Sequence, residues 1–161
     1  MKRLTLLRHA QAEDKLLGQR DWDRTLTKRG QMDAAEMAKR LKTKRLKPDL
    51  ILISPALRTL QTGEYFLNGW PDIQHRTQEE LYLANTQQLI AVLQDQAEQI
   101  QHVLVIGHNP GLTELADLLS SDYRIEGMPT ASMVTMKLNI NTWQELIPNV
   151  ASNVEFDYPQ K

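Results

Sequence analysis

The sequence has no cysteine. That excludes a disulfide framework, a zinc ribbon, an iron–sulfur protein and a thiol nucleophile. It also lacks a dominant charge: 19 basic and 20 acidic side chains leave a formal net charge of −1. A dedicated nucleic-acid binder usually carries a strong basic excess, so no nucleic-acid partner is expected. Glycine and proline contribute 7 residues each to a chain of 161, far below the disordered or collagen-like range. No apolar run approaches the ~20 residues that cross a bilayer, so no membrane partner is expected. The first residues, Met1 to Arg3, are charged, but the apolar run behind them covers only Leu4 to Leu7. A signal peptide needs about 7–15 apolar residues and a small-residue cleavage site, so the expected location is the cytoplasm.

Apolar residues make up 41% of the chain. A chain of this size can bury about 70% of its surface on folding, enough for a sizeable core. No repeat, low-complexity tract or linker breaks it, so one domain over 1–161 is expected. Three short runs, Leu4–Leu7, Leu50–Ile53 and Val103–Ile106, are almost continuously apolar, as in parallel strands buried on both faces. Helical stripes separate them. Ala34, Met37, Ala38 and Leu41 follow a capping candidate, Thr27; Leu89, Val92, Leu93, Ala97 and Ile100 form a second stripe; Leu112, Leu115, Ala116 and Leu119 form a third. A further helix is expected from about Ala56 to Leu67. Ser54-Pro55 and Asn109-Pro110 resemble an N-cap followed by proline at the first helical position. A strand is expected from Ile73 to Thr77, and a hairpin from Met133–Leu138 and Thr142–Ile147 across Asn139-Ile140-Asn141. Strands alternating with helices give the fold class: α/β, a three-layer α/β/α sandwich with a mostly parallel sheet.

Ligands of open α/β sheets bind beyond the carboxyl ends of the strands. The first run ends in Arg8-His9, the second in Ser54-Pro55 with Arg58 a turn into the helix behind it, and the third in Gly107-His108-Asn109-Pro110-Gly111. Two imidazoles and two guanidiniums therefore converge on one rim. Guanidinium forks match phosphate oxygens and stay charged, and an imidazole can serve as nucleophile, base or donor. Helix starts after Ser54 and Asn109 add positive potential. The implied chemistry is phosphoryl transfer or phosphate hydrolysis.

Leu7-Arg8-His9-Ala10, Ser54-Pro55 with Arg58 and Gln61-Thr62, and Gly107-His108-Asn109-Pro110 together resemble the histidine phosphatase superfamily, whose fold is phosphoglycerate mutase-like. Asp23-Arg24-Thr25-Leu26-Thr27-Lys28-Arg29-Gly30 and the short chain are similar to its SixA-type phosphohistidine phosphatases. The likeness runs from about residue 3 to 138. It implies a hydrolase in which His9 is the nucleophile and forms a phosphohistidine intermediate. Arg8, Arg58 and His108 would hold the phosphoryl oxygens, with Asn109 in the binding set. No metal and no cofactor are implied, since arginines supply the positive charge. The substrate implied is a phosphorylated protein, a histidine phosphotransfer domain.

In ester-cleaving members a carboxylic acid follows the third strand, which makes Glu80 the candidate general acid. Glu79 and Glu80 also read simply as surface carboxylates. Ala10, Gln11 and Ala12 stand where many ester-cleaving relatives have Gly, Glu and Thr, removing a hydroxyl that could touch phosphate. The stretch from Glu80 to Thr86 is too short for a large lid, so an open site suited to a protein substrate is expected. His75 and His102 read as structural, the basic run from Lys39 to Lys47 as a helix end complementing its dipole, and Met133 and Met136 as core. Arg24 and Thr27 read as loop and cap residues, with lining of the pocket as the alternative. A small-molecule phosphomonoesterase of the same superfamily and a non-catalytic phosphate-binding module are the alternatives.

Overall fold

The three continuous apolar runs become strands shielded on both faces in the computed structural model, which describes residues 1–161. They are β1 (Lys2–Arg8), β2 (Leu50–Ile53) and, after α1 (Lys28–Thr43), α2 (Leu57–Gly69), β3 (Gln74–Thr77) and α3 (Thr86–Gln94), β4 (His102–Gly107). The chain continues through α4 (Gly111–Leu119), β5 (Met133–Leu138) and β6 (Ala151–Asp157). One six-stranded sheet has the order β3-β2-β4-β1-β5-β6. The pairings β1–β4, β2–β4 and β2–β3 are parallel; β1–β5 and β5–β6 are antiparallel.

Alternation along each strand assigns side chains to two cores. Leu4, Leu6, Leu52, Val103 and Val105 pack with Leu89 and Leu93 of α3 and Leu112 and Leu115 of α4. Leu7, Ile51, Ile53, Leu104 and Ile106 pack with Ala34, Met37 and Leu41 of α1 and Phe66 of α2. Helices thus cover both faces, giving the three layers and the mostly parallel sheet read from the sequence.

Thr27 caps α1, its hydroxyl accepting from the Gly30 N–H at 2.9 Å. Other assignments are corrected. The second stripe stops at Gln94, before Ala97 and Ile100, so α3 is shorter than the spacing suggests; the Asp95 N–H bonds to the Val92 carbonyl and the turn leaves the helix. The hairpin's second strand is not Thr142–Ile147. Those residues start a 3₁₀ turn, Trp143–Glu145, closed by a capping box in which Thr142 and Glu145 bond each other's backbone. Trp143 is fully buried and donates its indole N–H to the Ile100 carbonyl at 2.7 Å. The partner of β5 is instead β6, whose end is tied to α1: Arg40 donates to Asp157 at 2.9 Å and to the Tyr158 and Pro159 carbonyls.

The prolines do not open helices as expected either. α2 starts at Leu57 behind Ala56, and α4 starts at Gly111 behind a cis Asn109–Pro110 bond. Ser54 is not a cap; its hydroxyl faces His108. Asn109 does hold the α4 start, its Oδ1 accepting from the Thr113 hydroxyl at 2.8 Å and the Thr113 N–H at 3.2 Å.

Between β1 and α1 the chain makes a long excursion, residues 11–27, pinned at its base. Ala12 bridges Leu26, and the Thr27 N–H bonds to the Gln11 carbonyl at 3.0 Å. The Leu26 N–H bonds to the Gln61 side chain at 2.8 Å. Gly30 allows this close approach, because a Cβ there would overlap the Gln11 carbonyl oxygen. Replacing Gly30 by Ala is expected to lower stability by about 1–3 kcal/mol, since backbone must move to make room. A urea melt with an unchanged midpoint would show that α1 shifts freely.

Candidate active site

Parallel register sets the carboxyl ends of β1, β2 and β4 level: Arg8 lies beside Gly107, and Ile53 beside Ile106. The residue after each strand is held by its neighbour. The His9 N–H bonds to the Gly107 carbonyl and the Ser54 N–H to the Ile106 carbonyl, both at 3.1 Å. Arg8, His9, Arg58, His108 and Asn109 consequently line one pocket of about 350 Å³. His9, Arg58 and His108 are buried, and the two imidazole rings lie 5.4 Å apart between centroids.

Hydrogen bonds fix the tautomer of His9. Its Nδ1 lies 2.7 Å from the Ala10 carbonyl oxygen, which can only accept, so Nδ1 carries the proton and Nε2 keeps its lone pair. The Ala10 N–H donates to the Thr62 hydroxyl at 3.0 Å, which holds this short turn against α2. Burial pushes the His9 imidazole down to about 4, and the charges of Arg58, Arg8 and Arg24 push the same way against the Ala10 bond. At neutral pH it is an uncharged imidazole with a free nitrogen.

His108 is held at both ring nitrogens. Nε2 is 2.7 Å from the Ser54 hydroxyl, and Nδ1 is 3.4 Å from Arg58 Nη2. A guanidinium only donates, so Nδ1 accepts and Nε2–H donates to Ser54. Burial first, then His9 and Arg58, lower His108 to about 3.

Arg8 donates through Nη1 to the Met128 carbonyl at 3.0 Å, and Asn109 donates to the same oxygen at 2.9 Å. The Nε atoms of Arg8 and Arg58 are buried with no hydrogen-bond partner. An unpaired buried donor costs on the order of 1–3 kcal/mol, more when charged.

One wall was not legible from the sequence. The excursion 11–27 turns through a 3₁₀ segment, Asp21–Asp23, over α2. The Arg58 fork grips it: Nη1 donates to the Asp21 carbonyl at 2.8 Å and Nη2 to the Asp21 carboxylate at 2.9 Å. Arg24 donates to the other carboxylate oxygen at 3.2 Å, and the Tyr82 hydroxyl donates at 2.5 Å. Burial alone would raise the Asp21 carboxyl, but the hydrogen bonds of Tyr82 and Arg58 and the Arg58 charge hold it well below the usual carboxylate range. Tyr82 stands edge-on to His108 with centroids 5.5 Å apart, and Trp22 edge-on to Tyr82 at 5.8 Å. Asp21 contacts Arg58 and Tyr82 across 37 and 61 residues of sequence, so no local pattern marks the wall.

Glu80 is not brought to this pocket. It is exposed on the 3₁₀ turn Glu79–Leu81, where Leu81 is the side chain turned into the core, and it lines a separate depression with Gln78, Ala91 and Gln94. His102 and His75 lie elsewhere, as expected for structural histidines: His102 Nε2 bonds the Thr5 hydroxyl at 2.8 Å, and His75 Nδ1 the Ile73 carbonyl at 3.1 Å.

Residues 4–99 match the sequence profile of the Histidine phosphatase superfamily (branch 1). The chain belongs to this superfamily. It is 30% identical over 157 residues to an uncharacterized chloroplastic protein of Arabidopsis thaliana, covering 89% of this chain and 70% of that protein. Its structure superposes on the "putative phosphohistidine phosphatase SixA" of Agrobacterium tumefaciens with a TM-score of 0.80 and 29% identity, over 85% of this chain and 92% of that one. A protein histidine phosphatase SixA complexed with tungstate shares the fold at a TM-score of 0.78 and 24% identity, over 98% and 97% of the two chains. The histidine phosphatase fold, phosphoglycerate mutase-like, is therefore that of this chain, and the superfamily membership supports phosphatase activity. No helix is long and apolar enough to cross a membrane.

The buried histidines make stability depend on pH. His9 and His108 fall to about 4 and about 3, and burial with the Arg3 charge lowers His102 to about 4, against 6.5 in an unfolded chain. The unfolded state therefore takes up protons first as pH falls. The stability these groups contribute is complete above about pH 6.5 and is lost toward pH 4, by up to ~1.4 kcal/mol per unit per histidine. Urea midpoints should decline from pH 7 to 5, and less steeply in His102→Gln. A flat midpoint across that window would contradict buried neutral imidazoles.

Proposed function

We propose that this protein is a metal-independent phosphohistidine phosphatase that acts on a phosphorylated protein, a histidine phosphotransfer domain, with His9 as nucleophile. The observation that carries this reading is a neutral His9, its Nδ1–H committed to the Ala10 carbonyl, set among Arg8, Arg58 and His108. The Nε2 lone pair attacks phosphorus, the bond from phosphorus to the substrate nitrogen breaks, and its electron pair stays on the departing imidazole. Water then attacks the phosphorylated His9, releasing inorganic phosphate and restoring the neutral ring. Arg8 and Arg58 offset the charge on the equatorial oxygens through this sequence, the part that a metal plays in other phosphoryl-transfer sites.

The choice of a phosphohistidine over an ester rests on the missing acid. An alkoxide needs a proton as it leaves, and Glu80 faces a different depression. A protonated imidazole leaves as a neutral ring without help from the enzyme. The Agrobacterium relative, with its SixA description and 29% identity, supports the same substrate class.

The test uses chelator-treated protein with a phosphohistidine-bearing phosphotransfer domain and, separately, an aryl phosphate. Phosphate release from the domain, lowered at least 10³-fold in His9→Ala, is expected, on the scale by which loss of a nucleophile slows covalent enzymes. Cleavage of the aryl phosphate alone would make the protein a small-molecule phosphomonoesterase. Release abolished by the chelator would end the metal-independent reading. Phosphate binding without release would leave a binding module.

A further inference from the structure

The pocket holds one acidic side chain, Asp21, and the mechanism above does not use it. Its Oδ1 accepts from Arg24, and its Oδ2 from Arg58 and Tyr82. A carboxylate has about four acceptor positions, so three donors leave one open. The side chain is 38% exposed, on the mouth side of a floor whose own groups, His9, Arg58 and His108, are buried. The charged or titratable groups that face it are Arg24 from its own loop, Arg58 from α2 and Tyr82 from the turn after β3, with His108 behind Arg58 and Tyr82.

We propose that Asp21 is the specificity-determining residue of this site: its carboxylate accepts a hydrogen bond from the distal N–H of the substrate's protonated imidazole and so selects a phosphoramidate over a phosphate ester. The inference rests on the phosphohistidine reading above and assigns a residue to it. In the reactive substrate, phosphorus sits on one ring nitrogen and a proton on the other, giving an imidazolium. When the P–N bond breaks, its electron pair returns to the ring, the positive charge disappears, and neutral imidazole departs with that distal proton. No proton moves to or from Asp21. Its anion stabilises the protonated ring relative to the unprotonated one, so that the reactive form persists to higher pH.

The arrangement gives an ester nothing comparable. A carboxyl surrounded by two guanidiniums and a phenol donor stays ionised and has no proton to give an alkoxide. Burial and the neighbouring carboxylate also push the Tyr82 phenol up, so it remains the donor to Asp21 rather than an acid for the substrate. A neutral alcohol or phenolate facing Asp21 offers at best a weak donor and at worst a like charge.

The experiment measures kcat/KM of the full chain on N-phosphorylimidazole and on 4-nitrophenyl phosphate from pH 6 to 9, for wild type, Asp21→Asn and Asp21→Glu, with far-ultraviolet circular dichroism on each. Asp21 also braces Arg58, so both activities fall in Asp21→Asn. The expected signature is in the ratio: phosphoramidate over ester drops at least tenfold. The alkaline limb of the phosphoramidate profile also moves down by about one pH unit. Asp21→Glu is expected to recover at least threefold of the lost ratio. Equal losses on both substrates with unmoved limbs would overturn the inference and leave Asp21 as a brace for Arg58, with the phosphohistidine reading intact. A larger loss on the ester would overturn it in favour of a general acid. Wild-type protein that releases no phosphate from N-phosphorylimidazole or from a phosphohistidine domain would overturn the functional reading itself, and this inference with it.

Discussion

Two guanidiniums share the floor of one pocket, and their mutual repulsion is the constraint around which the rest is arranged. Burial and then the Arg58 charge lower the proton affinity of Arg8. Like charges brought together away from water need acceptors close at hand. Arg8 finds the Met128 carbonyl, which requires the chain between α4 and β5 to reach across β1. Arg58 finds the Asp21 carbonyl and carboxylate, which requires the 11–27 excursion to fold over α2. The two longest connections in the chain therefore end on the two arginines. Each fixes its arginine's guanidinium in place at the pocket.

The titratable groups beside those arginines are held in different charge states. Burial first, with the arginine charges behind it, keeps His9 and His108 neutral in a range where a free imidazole is partly charged, while hydrogen bonds from Tyr82 and Arg58 and the Arg58 charge keep Asp21 ionised despite partial burial. Neutral imidazoles and an ionised carboxylate held side by side in one cleft, each with its proton affinity lowered, are a feature of chemical sites. On the proposed reading the nucleophile must be unprotonated and the acceptor ionised; burial does most of the first and the Tyr82 and Arg58 contacts the second. The stability lost below pH 6.5 is the thermodynamic counterpart of that arrangement.

How much of this was legible in the sequence depends on the range of the interaction concerned. β1, β2 and β4 were legible because strands buried on both faces need continuous apolar runs, and Arg8, His9, Arg58 and His108 followed from asking what stands at their carboxyl ends. Thr27 was legible because capping is local. The misses share a cause. Trp143 belongs to a strand-like apolar pattern, but its indole partner, Ile100, is 43 residues away, and that bond decides the turn. Glu80 sits a few residues after β3, yet which way its side chain faces is set by Leu81, which takes the core. Asp21 and Tyr82 have no periodicity around them, and they meet only because the excursion is pinned at Gln11, Leu26 and Gly30.

The division of labour in the pocket follows from that difference in range. Its floor is built on strand ends and on a helix start packed against them, so Arg8, His9, Arg58 and His108 are fixed by the core. Its wall is a loop held at the base by a few hydrogen bonds and at the tip by Arg58, with Leu16, Leu17 and Trp22 exposed along it. Substitutions in that loop leave β1, β2 and β4 undisturbed, because no residue of 11–27 lies in either core except Leu26. On the proposed reading, phosphoryl chemistry and leaving-group choice are carried by separate parts of the chain, coupled through one guanidinium. Arg58 grips the loop with both terminal nitrogens and lines the floor, so a change at Asp21 reaches the floor of the pocket by way of Arg58. That coupling is why the ratio between two leaving groups, rather than the rate on either, isolates what the loop contributes.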